Sequence, residues 1–147
     1  MLALMQKGAV TFDIAGTAEL SGGVFDLTSA LVAPADQGTA ELVKTGAGTL
    51  ILSGTSNYSG KLKLQDGNTV LRNASAIGAG GLDIGTATLT LDVDPALGAA
   101  DTVTILGDAT VAAGALDSLT LAATLSGAVG TSLTLQGLDT RLTGNAL

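Results

Sequence analysis

A chain of 147 residues that is 46% apolar is long enough for one domain with a continuous core. Only Phe12, Phe25 and Tyr58 are aromatic, so that core must be assembled from Val, Ile, Leu and Ala, whose volumes suit a narrow, regularly stacked interior. A net charge of −7 with only Lys7, Lys44, Lys61, Lys63, Arg72 and Arg141 as cations leaves no basic stripe for a phosphate backbone, and so few rings cannot stack bases; both argue against nucleic acid as a partner.

The absence of Cys and His removes disulfides, thiolate metal sites and imidazole-based acid, base or nucleophile chemistry. In "MLALMQKGAV" the apolar residues precede Lys7 and no long hydrophobic run follows it, the wrong order for a secretory signal. Export, if it occurs, is therefore expected to be directed by something outside this sequence. No run approaches the roughly 18 apolar residues of a membrane helix. A membrane β-barrel would need aromatic girdles that three rings cannot supply. The segment is read as soluble, without membrane insertion.

Taken in chain order, the period is two almost everywhere. The first alternating strands fall within 38–54, around the turn Gly46-Ala47-Gly48. "KLKLQ" puts Leu62 and Leu64 on one face and Lys61 and Lys63 on the other, so an acid at Leu52 or Leu64 should disrupt the fold while one at Lys63 should not. "ATLTLDVD" sets Leu89, Leu91 and Val93 against Thr88, Thr90 and Asp92. The alternation returns in "DTVTIL", "SLTLAA" and "SLTLQG". Glycine, 21 of 147 residues, or about twice its average share of roughly 7%, punctuates these runs with Asx residues at Gly22-Gly23, Asp66-Gly67-Asn68, Gly78 to Gly81, Gly98, Gly107-Asp108 and Gly127 to Gly130.

Short strands so regularly punctuated belong to a sandwich, a barrel or a solenoid. Internal similarity selects among them. "GTAELVKTGAGTLILSG" (38–54) and "GTSLTLQGLDTRLTG" (130–144) share the order Gly-Thr, alternating strand, Gly turn, second strand, closing Gly. A unit that cannot bury its own apolar face signifies a stacked array. At roughly twenty-odd residues per coil the expectation is an all-β parallel solenoid of about six or seven coils, and at about 4.8 Å per coil a rod some 30 Å tall.

The stretch Leu42-Val43-Lys44-Thr45-Gly46-Ala47-Gly48-Thr49-Leu50-Ile51-Leu52-Ser53-Gly54, followed by Asn57-Tyr58-Ser59-Gly60, Gly67-Asn68-Thr69-Val70-Leu71 and Ala76-Ile77-Gly78, resembles the autotransporter-associated β-strand repeat. The best match covers 42–78; the copy at 130–144 is degenerate, with Gln136 in place of the Lys. The resemblance implies a right-handed parallel β-helix in the passenger region of an exported protein at the cell surface, or secreted, of a Gram-negative bacterium. In that frame Leu50 and Leu52 face the interior, Gly46, Gly48, Gly54 and Gly60 turn corners, and Tyr58 covers an end of the apolar column.

Other readings of the glycines fail on spacing. Five residues separate Gly54 from Gly60, and Lys61 is followed by Leu62, so there is no Walker A loop. "GAGGLD" has Asp83 where a dinucleotide fingerprint needs its third glycine. Gly80-Gly81-Leu82-Asp83 is a fragment of one calcium β-roll copy. Asp92 and Asp94 are the one closely spaced carboxylate pair on a strand face, without an Arg nearby in sequence, which is little for a polysaccharide-cleaving β-helix. The sequons Asn57-Tyr58-Ser59 and Asn73-Ala74-Ser75 read as turns. A third class is surface binding of the ice-binding kind by a threonine array of Thr86, Thr88, Thr90, Thr102, Thr104, Thr120 and Thr134.

The sequence thus points to a non-catalytic stalk or spacer with no catalytic residue, metal site or cofactor proposed. Adhesion to a host or matrix surface or self-association is its most plausible activity. Neither "MLALMQKGAV" nor "RLTGNAL" offers an obvious cap, and Pro34 and Pro95 lie far from both, so end-to-end association or docking on neighbouring coils of a longer polypeptide is expected.

Overall fold

The computed structural model describes residues 2–4, 8–26, 40–93, 101–114, 119–121, 123–137 and 140–142. Among these residues there is no helix; strands alternate with corners from β1 (Leu2–Leu4) to β16 (Thr140–Leu142). Successive strands do not pair with each other. Each pairs in parallel with its counterpart one coil away, the arrangement of a parallel β-solenoid.

Two six-stranded sheets result. The first stacks β2 (Gly8–Asp13), β5 (Ala40–Thr45), β7 (Leu62–Leu64), β9 (Leu82–Ile84), β11 (Thr102–Ile105) and β14 (Thr124–Gly127). The second stacks β3 (Thr17–Leu20), β6 (Thr49–Leu52), β8 (Asn68–Leu71), β10 (Thr88–Leu91), β12 (Ala109–Ala113) and β15 (Leu133–Gln136). A third side is formed where β1 pairs with β4 (Val24–Asp26), and again where β13 (Leu119–Leu121) pairs with β16. At about 4.8 Å per rung, six rungs span about 24 Å.

Pairing advances by a near-constant step in the middle of the stack. Leu42 pairs with Leu62 and Leu62 with Leu82, 20 residues per coil; Thr49 pairs with Asn68, Asn68 with Thr88 and Thr88 with Thr110. Four regular, contiguous turns thus run from β5 to β12. The outer steps are longer, 32 residues from Val10 to Leu42 and 24 from Thr110 to Thr134. Six strands per sheet and about four regular turns compare with the six or seven coils expected, because the outer coils depart from the twenty-residue step.

Alternation and in-register pairing together build the interior as columns. Leu42, Leu62, Leu82 and Val103 form one, Leu64, Ile84 and Ile105 another, and Leu52, Leu71 and Leu91 a third, all at most 5% exposed. Burying each such side chain contributes about 1.5–3 kcal/mol. One column is broken: Thr69 sits between Leu50 and Leu89, 1% exposed, and its hydroxyl finds no hydrogen-bond partner among the described residues. Tyr58 corrects an expectation. It does not cover an end of a column but is fully buried between coils, with Asn57 N donating to Val24 O (3.0 Å) before it and Ala79 N donating to Tyr58 O (2.9 Å) after it.

The corner glycines are required by the approach of one coil to the next. Gly46 has φ +77°, and a Cβ there would lie 2.5 Å from Ile14 O. Gly54 has no positive φ, yet its Cβ would fall 2.1 Å from the backbone N of Gly23. Gly98 lies outside the described residues. The two sequence copies, in turn, do not occupy equivalent places. Strands β5 and β6 of 38–54 belong to the first and second sheets, whereas β15 and β16 of 130–144 belong to the second sheet and the third side. What they share is the grammar of strand, glycine corner and strand.

Two outcomes follow for stability. Leu52→Asp and Leu64→Asp should each cost about 4 kcal/mol or more in denaturant unfolding, a large part of a domain's roughly 5–15 kcal/mol. Gly46→Ala and Gly54→Ala should each cost about 1–3 kcal/mol, as overpacking does, with Val worse than Ala at both. Gly16→Ala, whose Cβ meets nothing within 4 Å, is the control and should be neutral or slightly stabilising.

Candidate functional site

Because the interior is filled by side chains, chemistry can occur only on the outward faces, at the corners and at the ends of the stack. The first sheet carries charge outward. Lys63 on β7 reaches back one rung to Glu41 on β5 (2.7 Å), and Lys61 reaches forward to Asp83 on β9 (2.7 Å). The hydrogen bond with Glu41 raises the pKa of Lys63. Lys63 also pairs in register with Asp83. Replacing it by Asp would set three carboxylates on successive rungs, so this outward position is less tolerant of an acid than the alternation alone implies. The Asp83 charge is answered by Lys61, and Asp83 is only 7% exposed. The calcium-like fragment is therefore a glycine corner leading into an inner strand, with Asp83 held in an ion pair. Among the described residues no group of three or more acidic side chains gathers.

The second sheet presents a different face. Register places Thr17, Thr49, Asn68, Thr88, Thr110 and Thr134 in a single outward rank. The neighbouring rank holds Glu19, Ile51, Val70, Thr90, Ala112 and Gln136, so on the four middle strands this face carries no charge. Thr90 Oγ1 donates to Asn68 Oδ1 (3.0 Å) and ties the two ranks together. Of the threonine array expected from sequence, only Thr88 and Thr134 share the rank. Thr90 belongs to its neighbour, Thr86 to a corner, Thr102 and Thr104 to the first sheet, and Thr120 to β13 on the third side. Thr17, Thr49 and Thr110 were missed, since their alignment depends on unequal coil lengths.

Arg72 and Asp92 meet across one rung at 3.5 Å, although 20 residues separate them. Asp94 lies outside the described residues. Two shallow grooves run along the corner between the sheets. The larger, about 330 Å3, is lined by Asp66, Asn68, Thr88, Asp108 and Thr110 among others, and neither groove has an aromatic ring on which a sugar could stack. Asn73 behaves as a turn residue: its Oδ1 accepts from Ser75 N (2.9 Å) and its Nδ2 donates to Thr55 Oγ1 (3.2 Å).

Lys44 is the most distinctive side chain of the matched stretch. It stands in an inward column between Phe12 and Leu64 and is fully buried. Its ammonium turns to the corner and donates to Gly46 O (2.5 Å), Asp66 O (2.9 Å) and Thr45 O (3.2 Å), joining two successive corners. Burial lowers its pKa, against the opposing pull of Asp66 and Asp13. Sequence reasoning noted the Lys as part of a motif without assigning it this role; a lone cation in an otherwise alternating apolar strand was the available signal.

Removing the ammonium leaves carbonyls behind, so Lys44→Met should destabilise by about 1–3 kcal/mol. Because the folded pKa is below 10.5, the unfolded chain holds more protons as pH approaches 10.5, and the Lys44 contribution becomes more favourable with rising pH. In urea melts between pH 8 and 11 the stability of the native chain should therefore rise relative to Lys44→Met.

Comparison of the whole chain with curated proteins and with solved structures gave no match. Residues 42–71 match the family described as Passenger-associated-transport-repeat. That interval runs from the start of the Leu42 column through the Lys44 corner, β6, the buried Tyr58 and β7 to Leu71 at the end of β8. The repeat and the parallel solenoid fit an autotransporter passenger segment, and with it an exported, surface or secreted protein. The match at 42–71 falls on the stretch that resembles the autotransporter-associated β-strand repeat.

Proposed function

We propose that the segment is a non-catalytic stalk or spacer in the passenger of a surface protein of a Gram-negative bacterium, with adhesion or self-association as its activity. The observation that carries this reading is the continuity of the stack. A passenger-associated repeat lies within two six-stranded parallel ladders whose interior is filled, so the coil's work is to extend a rod. Charged pairs on one face and hydroxyls on the other keep both long sides polar. Such a rod sets a distance from the membrane by the number of its rungs, about 4.8 Å each.

Surface display tests the proposal. With the chain placed between an N-terminal epitope and an autotransporter translocator, the epitope should appear on intact cells. Leu64→Asp should lower the protease-resistant, displayed fraction at least tenfold. Normal intracellular folding without display of the native segment would overturn the reading.

The threonine rank supports a second reading, binding of a regular surface through the second sheet. Its spacing is that of the ladder, about 4.8 Å. Adhesion that is lost on Thr88→Lys and Thr110→Lys, with folding and display retained, would favour it over a simple spacer.

A further inference from the structure

The uncharged side of the solenoid is ordered in two dimensions. Strands β6, β8, β10 and β12 pair residue for residue, so their outward positions form two straight ranks: Thr49, Asn68, Thr88 and Thr110, and beside them the rank from Ile51 to Ala112. Members of both ranks are half-buried, and the inward residues between them are buried. Within a rank the residues repeat at about 4.8 Å, and the two ranks stand about 6.7 Å apart along the strands. Asp66 and Asp108 precede these strands and Arg72 and Asp92 follow them, so no charge falls within either rank.

These features narrow the occupant. Without charge the face offers nothing to an ionic ligand, and neither rank holds a ring on which a sugar could stack. The four strands cover about 19 by 13 Å, or roughly 250 Å², far below the roughly 800 Å² that each partner of a stable protein interface buries. What the face does offer is repetition, which suits a lattice that presents the same site at every step. We propose that this face binds ice, with the hydroxyl rank set along a row of lattice oxygens. On the prism faces of hexagonal ice the surface oxygens repeat at distances near to both spacings of the ranks. Thr is stiff at χ1, and Thr90 Oγ1 donates to Asn68 Oδ1 (3.0 Å) across the ranks, so these groups are held in place before contact and lose little freedom on binding. The Thr methyls and the side chains of Ile51, Val70 and Ala112 hold no water of their own, which lets the first water layer take up lattice positions; a strongly hydrated ammonium would prevent it.

Ice is the regular surface that binding through the second sheet, the second reading of function, leaves unnamed, and its assignment rests on that reading. A small face suffices, because a crystal offers the same site at each lattice step. Chains held on a growing crystal face force the ice front to curve between them, so the consequence of binding is slower ice growth.

The purified chain in supercooled buffer tests it. The native chain should shape ice crystals and slow recrystallisation, and an amine-labelled fluorescent derivative should coat the prism faces of a single crystal. Thr88→Lys and Thr110→Lys, made singly so that one can stand in for the other, should each raise the concentration needed at least tenfold, with folding checked by circular dichroism. Thr104→Lys, which falls beside Asp83 on the outward face of the first sheet, should leave that concentration unchanged. A folded native chain that neither shapes ice nor slows recrystallisation at about 1 mM would overturn the proposal. So would activity unchanged by both substitutions on the rank, or lost equally with Thr104→Lys. Adhesion of the displayed segment that depends on Thr88 and Thr110 without any activity on ice would also overturn it, while keeping the second reading and pointing to another regular surface.

Discussion

Everything in this structure depends on in-register parallel pairing between coils. A strand of three to six residues cannot bury its own inward side chains, and among the described residues no strand has a hairpin partner; each gains its hydrogen bonds and its apolar cover from neighbouring coils. The inward position of one coil must therefore match the inward position of the next. The result is a set of aliphatic columns in a narrow cross-section, which explains a core of Leu, Ile, Val and Ala with a single fully buried aromatic ring. The same closeness acts on the corners, where backbone meets backbone and a Cβ at Gly54 would overlap the coil before it.

The exceptions to the columns are concentrated. Lys44, Tyr58 and Thr69 are fully or almost fully buried, and all three lie in the passenger-associated repeat at 42–71. Aliphatic columns alone specify register weakly, since a slip by one coil replaces Leu by Leu at little cost. Lys44 breaks that degeneracy. Its ammonium is satisfied only where the carbonyls of its own corner and of the next converge, and a slip would leave a buried charge without them. The Tyr58 ring likewise needs the space beside Gly78 of the following coil, where a Cβ would stand 2.9 Å from it. The matched repeat is thus the coil whose interior distinguishes one register from its alternatives.

The outward faces are free of that constraint and differ accordingly. On the first sheet, ion pairs bridge successive rungs; the Lys63–Glu41 pair is the more exposed and contributes about 0–1 kcal/mol, so its main effect is to keep the face polar. On the second, hydroxyls and small aliphatic groups form an uncharged surface bounded by Glu19 and Gln136. The described stack thus has one charged and one uncharged long side.

The sequence by itself determined the strand period of two, the glycine corners and the repeat read at 42–78, of which 42–71 is matched by the family, because each is a local property of backbone conformation and side-chain alternation. It also placed Leu50, Leu52, Leu62 and Leu64 inside. Only the tertiary structure decided which residues meet between coils. Lys61 finds Asp83, Arg72 finds Asp92, and Thr17, Thr49, Thr88, Thr110 and Thr134 fall into one rank because pairing partners stand 19 to 32 residues apart, in steps that vary with the length of each corner. For the same reason 38–54 and 130–144 look like copies yet occupy different sides of the solenoid. Alternation fixes which face a side chain takes, whereas the accumulated length of the corners fixes which neighbour it takes there, and that length is settled only when the coils close on one another.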